Sequence, residues 1–375
     1  MTGSPTSNGL RAARSNRGWS LTTEAERIVE LGRERGQAVA TVSSLRSQIS
    51  RWENGHALPD PQYRELLSDL LGHSAAELGI GGVVTAPGSD PASRLHAALD
   101  AAAAVDAAAL ALWREQLDSA QRLDDELGAT AAGSLVRAQI TALEEALTHT
   151  VAPPGRRGVA RVLSTACALA GSQALGGAEP DEAWRSYERA RSAGVEAGDA
   201  AAEGLAVAGL ADVLVEVGRP SEAVSILAGL PDTDATLPAA TRARLAAALA
   251  AARAALGEAP AARAAVEEAE RLATFPVDTA HHPFAVELGD VHRWRGHVLA
   301  RLGDAGAEAA LREALAAGQR GVRHRADVLA DLAAVLAPVD RDGAAEQARE
   351  ARTLAERIGA TRVTLAVTPL MAQPR

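Results

Sequence analysis

Cysteine is almost absent from this chain of 375 residues, because Cys167 is the only one. A single cysteine excludes an intramolecular disulfide and any zinc site built from four thiolates. Its Ala-rich setting predicts a small buried residue rather than a reactive thiol. No run approaches the roughly 20 uncharged apolar residues of a membrane-spanning helix, and the N-terminus lacks the apolar segment of a signal peptide. We therefore expect a cytoplasmic protein that does not contact a membrane.

Lysine is absent altogether, and aromatic residues make up only 2% of the chain. All 38 basic residues are therefore arginines, and they are outnumbered by 48 acidic residues, which gives a net charge of −10. The acidity is unevenly distributed, since residues 1–59 carry eight arginines and five glutamates, a net charge of +3. A modest local positive charge suits a sequence-specific DNA-binding domain with weak non-specific affinity.

Motifs of catalysis and metal binding are missing as well. The glycines at 79–82 do not open a helix with a phosphate-binding lysine, and no serine or cysteine lies in a nucleophile elbow. Several histidines cluster in the C-terminal part without the i, i+4 spacing that places two ligands on one helix face: His281, His282, His292, His297 and His324. We therefore expect that the protein is not an enzyme and that it has neither a cofactor nor a metal site.

The segment Ser44–Gly55 predicts a short helix with two different faces. At 3.6 residues per turn, Leu45, Ile49 and Trp52 share one apolar face. A polar stripe covers the other face: Arg46, Ser47, Ser50, Arg51 and Asn54. Ser44 is a candidate N-cap and Gly55 a candidate C-terminal glycine. Periodicity alone fits an ordinary amphipathic surface helix as well as a helix that enters the major groove of DNA.

The sequence around this helix favours DNA recognition. The run Ser50-Arg51-Trp52-Glu53-Asn54-Gly55 resembles the end of the recognition helix in the Cro/repressor-type (Xre) helix-turn-helix family. Upstream, residues 10–20 resemble the first helix, its glycine turn and the serine that caps helix 2. Downstream, residues 59–67 resemble the fourth helix. The resemblance covers about residues 8 to 80 and implies a DNA-binding transcriptional regulator.

The resemblance also implies roles for individual residues. It assigns base contacts to one set on the recognition helix: Arg46, Ser47 and Arg51, with Gln48 and Ser50 on the flank. It assigns phosphate contacts to Asn54 and His56, and a structural ion pair to Arg14 and Glu53.

Two departures from the family concern helix 2. Leu21 and Glu24 stand where the family carries a glutamine and a leucine, and residues 33–43 lengthen the connection to the recognition helix. A long connection resembles actinobacterial members of the family. Both departures affect DNA contacts from helix 2 more than those from helix 3.

The rest of the chain predicts stacked helix pairs. Pro180, Pro220 and Pro260 lie 40 residues apart, as do Gly303 and Gly343, and Ala/Leu-rich segments separate these breaks. A fixed period with breakers between helices is the signature of a solenoid. The pattern resembles tetratricopeptide repeats, with small residues at close helix contacts: Ala190, Ala206, Gly209 and Ala223. The period exceeds the usual ~34 residues of that repeat and overlaps the HEAT range.

We thus predict an all-α protein in four parts. Residues 1–78 form the helix-turn-helix domain, 79–91 a Gly/Pro-rich linker, 92–358 an α-solenoid of tetratricopeptide-like helix pairs, and 359–375 a tail. For the tail, the sequence leaves an edge strand and a disordered end open.

The functional prediction is a transcriptional regulator that binds a palindromic operator in double-stranded DNA as a homodimer. Its repeat domain is expected to dimerise and to bind a peptide or protein effector in a groove. One alternative is a protein-interaction scaffold with a vestigial helix-turn-helix head. Another is a small-molecule sensor, which requires an enclosed apolar pocket.

Overall fold

The chain is entirely helical in the part that a computed structural model describes, namely residues 9–37, 39–53, 58–75, 77–80, 91–230, 237–273, 288–318 and 321–371. Eighteen helices and no strand occur within these ranges, so the prediction of an all-α fold is confirmed. The chain divides into two compact units, Met1–Leu95 and His96–Arg375.

The N-terminal unit contains four helices: α1 (Gly9–Asn16), α2 (Leu21–Glu34), α3 (Val42–Glu53) and α4 (Pro61–Leu71). Ser20 caps α2, since its hydroxyl accepts a hydrogen bond from the backbone N–H of Thr23 at 3.0 Å. Each helix buries one apolar side, and Ile28, Leu45 and Ile49 are fully buried in the shared core. Burial of such side chains is the main source of stability for helices this short.

The beginning of α3 differs from the prediction. Ser44 lies inside the helix, which begins at Val42. Thr41 precedes the helix, and the backbone N–H of Ser44 donates to the Thr41 hydroxyl at 3.4 Å. Threonine caps a helix by the same chemistry as serine, so the run of hydroxyl residues from Thr41 to Ser44 offered several candidate caps and the sequence alone did not identify the right one. Gly55 lies outside the described residues.

Most of the predicted linker, residues 81–90, lies outside the described ranges. At its N-terminal edge, Ile80 is 2% exposed and belongs to the core of the N-terminal unit. At its other edge, Pro91 begins helix α5 (Pro91–Ala103).

The second unit is built from thirteen further helices in the described ranges. They are α6 (Ala107–Leu127), α7 (Ala129–His149), α8 (Pro153–Gly176), α9 (Pro180–Ala197), α10 (Ala200–Glu216), α11 (Pro220–Ala228), α12 (Ala239–Ala255), α13 (Ala259–Ala273), α14 (Leu288–Arg301), α15 (Ala307–Ala317), α16 (Val322–Leu336), α17 (Arg341–Ile358) and α18 (Thr361–Met371). The even-numbered helices contact one another in succession from α6 to α18 and form an inner layer. The odd-numbered helices pack against their neighbours along the chain.

The breaks read from the sequence separate an inner helix from the outer helix that follows it. Gly218 and Gly257 have φ angles of 76° and 74°, a left-handed conformation that ends α10 and α12 at low cost for glycine. Pro220 then begins α11, where its missing N–H costs no helical hydrogen bond. This local chemistry explains why the 40-residue spacing coincides with the helix pairs.

The inner layer closes on itself. Helix α16 contacts α6, and α18 contacts α8, so the last helices of the unit meet the first. The approach is close: a Cβ at Gly321 would lie 2.5 Å from the carbonyl oxygen of Asp125, and one at Gly359 would lie 3.1 Å from the hydroxyl of Thr130. One turn of stacked helix pairs therefore surrounds a central space.

Residues 372–375 lie outside the described ranges. The rest of the C-terminal segment is neither the edge strand nor the disordered end that the sequence left open. It forms α18, which buries Val363 and Val367 against the hydrophobic cluster of α16 and α17. These two valines lie four residues apart and so share one helix face. The β-branched residues that suggested a strand are outweighed by this tertiary packing.

Candidate membrane spans are not found as single helices in the described part of the chain. Helices α5 and α6 reach the required length and apolar character only as a pair, which is bent by 79°.

Candidate nucleic-acid interface and the cavity of the helical array

Helix α3 carries the predicted base-contacting residues on its outer side. Leu45, Ile49 and Trp52 are buried on the other side, and this packing fixes the rotation of the helix. The predicted residues then fall into two groups by exposure: Arg46, Ser47 and Arg51 are exposed, while Gln48 and Ser50 are half-buried. The structure thus brings all five onto one helix with the three primary candidates accessible to solvent.

The two arginines of α3 are available for a partner. Neither Arg46 nor Arg51 makes an ion pair with any residue in the described ranges, whereas Arg27 on α2 is paired with Glu30 at 3.1 Å. The smaller side chains are held by their own helix: the Ser47 hydroxyl donates to the Ser43 carbonyl at 3.4 Å. The predicted phosphate contacts, Asn54 and His56, lie outside the described residues.

Arg14 and Glu53 join α1 to the end of α3. Arg14 Nε lies 2.7 Å from Glu53 Oε1, and its Nη2 lies 3.0 Å from Glu53 Oε2. Arg14 Nη1 also donates to the carbonyl of Trp19 at 2.8 Å, in the turn before α2. The hydrogen bond to Glu53 raises the pKa of Arg14 despite burial, with the charge of Glu53 acting in the same direction. This bidentate pair fixes the C-terminal end of the helix that carries the exposed arginines.

Glu24 is an acidic residue in the core, and its surroundings could not be predicted from the sequence. It is 0% exposed and lies 3.4 Å from Arg14 Nε. Burial raises the pKa of its carboxyl to about 7, with Glu53 adding to the increase and Arg14 opposing it. The spacing in the sequence could have indicated that Glu24 is buried. Glu24 precedes Ile28 by four residues and therefore lies on the same inward face of the helix.

The long connection between α2 and α3 is anchored on both sides. Val39 packs so closely on α2 that a Cβ at Gly32 would lie 2.6 Å from its Cγ1. The backbone N–H of Ala40 donates to the hydroxyl of Tyr63 on α4 at 2.9 Å. The centroid of the Tyr63 ring in turn lies 5.5 Å from the centroid of the Trp52 ring on α3. The connection thus positions α3 through α2 and α4.

A second candidate site is a cavity of about 710 Å³ in the second unit. All seven even-numbered inner helices contribute to its lining. Trp294, Leu205 and Val298 supply apolar surface. Charged groups dominate the polar surface of the described lining, with five arginines, two histidines and seven acids: Arg244, Arg293, Arg301, Arg323, Arg362, His297, His324, Asp124, Asp125, Asp212, Glu216, Asp290, Asp327 and Asp331.

Ion pairs across this cavity connect helices that are distant in sequence. Arg362 of α18 lies 2.9 Å from Asp327 of α16 and 3.6 Å from Glu216 of α10. Arg244 of α12 pairs with Asp212 of α10. Opposite charges in direct contact allow the lining to remain charged inside the ring.

A hydrogen-bonded chain lies on one wall of the cavity. Arg301 Nε donates to Nε2 of His297 at 3.0 Å, and Nδ1 of His297 lies 2.8 Å from Asp331. Because Nε2 accepts, we assign the proton to Nδ1, which donates to Asp331. Burial acts to raise the pKa of Asp331, but the hydrogen bond from His297 and the positive charges of Arg362 and Arg301 outweigh burial and lower it.

Small residues on inner helices make room for an aromatic ring beside the cavity. Tyr187 of α9 lies between Gly171 of α8 and Gly209 of α10: a Cβ at Gly171 would lie 2.9 Å from the ring, and one at Gly209 would overlap it. Ala190, Ala206 and Ala223 are all 0% exposed at other helix contacts. The small residues selected from sequence therefore do lie in helix interfaces.

Other chemistry in the described residues is limited. They contain no group of three or more histidine, cysteine, aspartate or glutamate side chains arranged to hold a metal ion. Cys167 is buried, and burial raises the pKa of its thiol to about 12. A thiol that remains protonated at neutral pH is a poor nucleophile.

Comparison with known proteins gives little beyond the geometry. No family model matches the chain, and no curated protein matches it. A solved structure, the crystal structure of Bacillus thuringiensis PlcR in complex with the peptide PapR7 and DNA, aligns with 84% of this chain and 94% of that chain. The TM-score is 0.35 and the sequence identity 11%. A likeness this weak does not establish a common function, and the peptide and DNA are partners of PlcR.

Proposed function

We propose that this protein is a sequence-specific DNA-binding transcriptional regulator. The observation that carries the proposal is the outer face of α3, where Arg46 and Arg51 are exposed and make no ion pair in the described residues, while the opposite face is fixed in the core. An α-helix of these dimensions fits the major groove of DNA. Arginine contacts guanine through O6 and N7, a bidentate contact worth ~1–3 kcal/mol of discrimination.

We propose that the protein acts as a homodimer on a palindromic operator. One recognition helix reads only a few base pairs, and a net charge of +3 over residues 1–59 gives one protomer few phosphate contacts. Two heads spaced by about one turn of DNA would double both sets of contacts.

The test is selection of binding sites from a random DNA pool by the full-length protein. The variant Arg46→Ala/Arg51→Ala loses two charges from α3. Arg349→Ala/Arg352→Ala removes two exposed charges from α17 and serves as its control. The proposal predicts a palindromic motif with the wild type and the control, and none with the α3 variant. Failure of the wild type to enrich any motif would instead support the scaffold with a vestigial head.

We propose the cavity of the second unit as the site of a peptide effector. Its lining carries both signs of charge together with apolar surface at Trp294 and Val298, which suits a peptide with its charged termini and mixed side chains. The described lining is rich in charged groups. It does not provide the enclosed apolar pocket that a small apolar ligand requires.

A random peptide library displayed on phage tests this site. Peptides selected on the wild type should bind the control Arg295→Ala as well, because Arg295 is exposed on α14 and does not line the cavity. They should lose affinity for Arg301→Ala, which changes the cavity wall on the same helix. Equal binding by the two variants would place the peptides elsewhere.

A further inference from the structure

The N-terminal unit buries a carboxyl group that makes no hydrogen bond to the residues the structure describes. Glu24 is 0% exposed, as are its neighbours Ala25 and Ile28 on the inward face of α2. Neither carboxylate oxygen of Glu24 has a hydrogen-bond partner among the described residues. An ionised carboxylate in such surroundings is strongly disfavoured, whereas a protonated one is tolerated.

One guanidinium group lies between Glu24 and Glu53. Arg14 Nε is 3.4 Å from Glu24 Oε2 and 2.7 Å from Glu53 Oε1. This nitrogen carries a single hydrogen, and it is directed to Glu53. The other two nitrogens of Arg14 already donate to Glu53 and to the carbonyl of Trp19. Nε is the Arg14 nitrogen that the structure places beside Glu24, so Glu24 can gain the hydrogen of this nitrogen only if Glu53 loses it.

We propose that Glu24 is a positioning residue that couples the end of α3 to pH: protonated Glu24 leaves Arg14 on Glu53, and ionised Glu24 draws Arg14 away. Glu53 is the last residue of α3, so loss of Arg14 removes its shortest contact with α1 and leaves the weaker one to Arg11 at 3.4 Å. The consequence for DNA affinity rests on the proposed function. The coupling within the unit does not.

The charged groups around Glu24 place the transition near neutral pH. Arg14 of α1 and Glu53 of α3 act on it directly, and Arg11 of α1 acts on Glu53 from 3.4 Å. Burial and the negative charge of Glu53 raise the pKa of Glu24 to about 7 against the opposing charge of Arg14. Glu24 therefore ionises within the range over which the pH of cells and buffers varies.

Nuclear magnetic resonance of the full-length protein tests the coupling without DNA. The Glu24 carboxyl signal, identified by its loss in Glu24→Gln, should titrate near neutral pH. The Arg14 Nε–H signal should shift with the same midpoint in the wild type and stay constant in Glu24→Gln. Glu24→Leu provides a second variant if the buried amide destabilises the unit. The proposal is overturned if the Arg14 Nε–H signal does not shift as Glu24 titrates. It is also overturned if Glu24 titrates as an ordinary carboxyl.

The affinity for a selected operator, measured from pH 6 to pH 8, tests the functional consequence. Wild-type affinity should fall as pH rises, by at most about tenfold per pH unit for each coupled proton. Glu24→Gln should keep the low-pH affinity throughout. Glu26→Gln removes an exposed charge from the same helix and should retain the wild-type pH dependence. A pH-independent wild type would overturn Glu24 as a positioning residue for binding, whereas absence of binding at every pH would overturn the proposed function and leave the resonance experiment decisive.

Discussion

Arg323 and Asp124 lie 199 positions apart in the chain, yet Arg323 Nη2 is 2.8 Å from both carboxylate oxygens of Asp124. Gln173 of α8 adds a hydrogen bond to the same carboxylate at 3.1 Å. The arrangement joins α16 to α6 and α8, and so connects the end of the inner layer to its beginning. This buried contact is therefore one of those that close the ring around the cavity.

Arg323→Ala should destabilise the second unit by about 3–5 kcal/mol, because it leaves the Asp124 charge buried without its partner. The free energy of unfolding from urea titration measures the effect. Arg325→Ala is a close control: its ion pair with Glu350 is exposed, so its loss should change stability by about 1 kcal/mol or less. Equal effects of the two variants would mean that the ring does not depend on the buried pair.

Gly209→Ala should cost about 1–3 kcal/mol, since the added methyl group overlaps the ring of Tyr187 and forces α9 and α10 apart. Gly229→Ala tests the effect of alanine where no described side chain lies within 4 Å of the added methyl group, and it should be close to neutral. Thermal unfolding monitored by circular dichroism compares both. If Gly209→Ala is equally neutral, the Tyr187 ring does not occupy the space between the glycines.

Local patterns predicted much of this structure. Helix breaks could be read because glycine and proline act on the backbone within a few residues, and the buried face of α3 could be read because Leu45, Ile49 and Trp52 follow the helical period. The same logic selected Arg46 and Arg51 as outward residues. The roles of these arginines in DNA binding remain predictions.

Features that depend on distant residues could not be predicted in this way. Nothing local to Asp124 indicates that Arg323 approaches it, since the contact arises from the summed rotation of the helix pairs between them. In sequence, Glu24 is only a departure from a family pattern, because its raised pKa is caused by burial and by groups of α1 and α3. The β-branched Val363 and Val367 favour a strand locally, and only their packing against α17 makes the segment a helix.

Ala178→Gly should stabilise the protein by about 0.5–1 kcal/mol. Ala178 has a φ of 62°, the left-handed region in which Gly218 and Gly257 lie at the corresponding breaks. This conformation costs an alanine roughly 1–2 kcal/mol, part of which is offset by the greater freedom of glycine in the unfolded chain. Ala142→Gly, at an exposed position within α7, should lose about 1 kcal/mol. Urea titration should therefore give opposite signs for the two substitutions, and a loss for both would show that Ala178 is not strained.

The stability of the N-terminal unit should fall as pH rises from about 4.5 to about 7. Because the pKa of Glu24 is raised from 4.5 to about 7 on folding, the unfolded chain releases its proton first in this interval. Stability from this group is fully present below the interval and declines by about 1.4 kcal/mol per pH unit within it. Glu24→Leu abolishes the decline. The free energy of opening at α2 and α3, from amide hydrogen exchange corrected for the intrinsic effect of pH, measures it. A slope retained in Glu24→Leu would assign the titration to another group and remove the main support for a neutral buried Glu24.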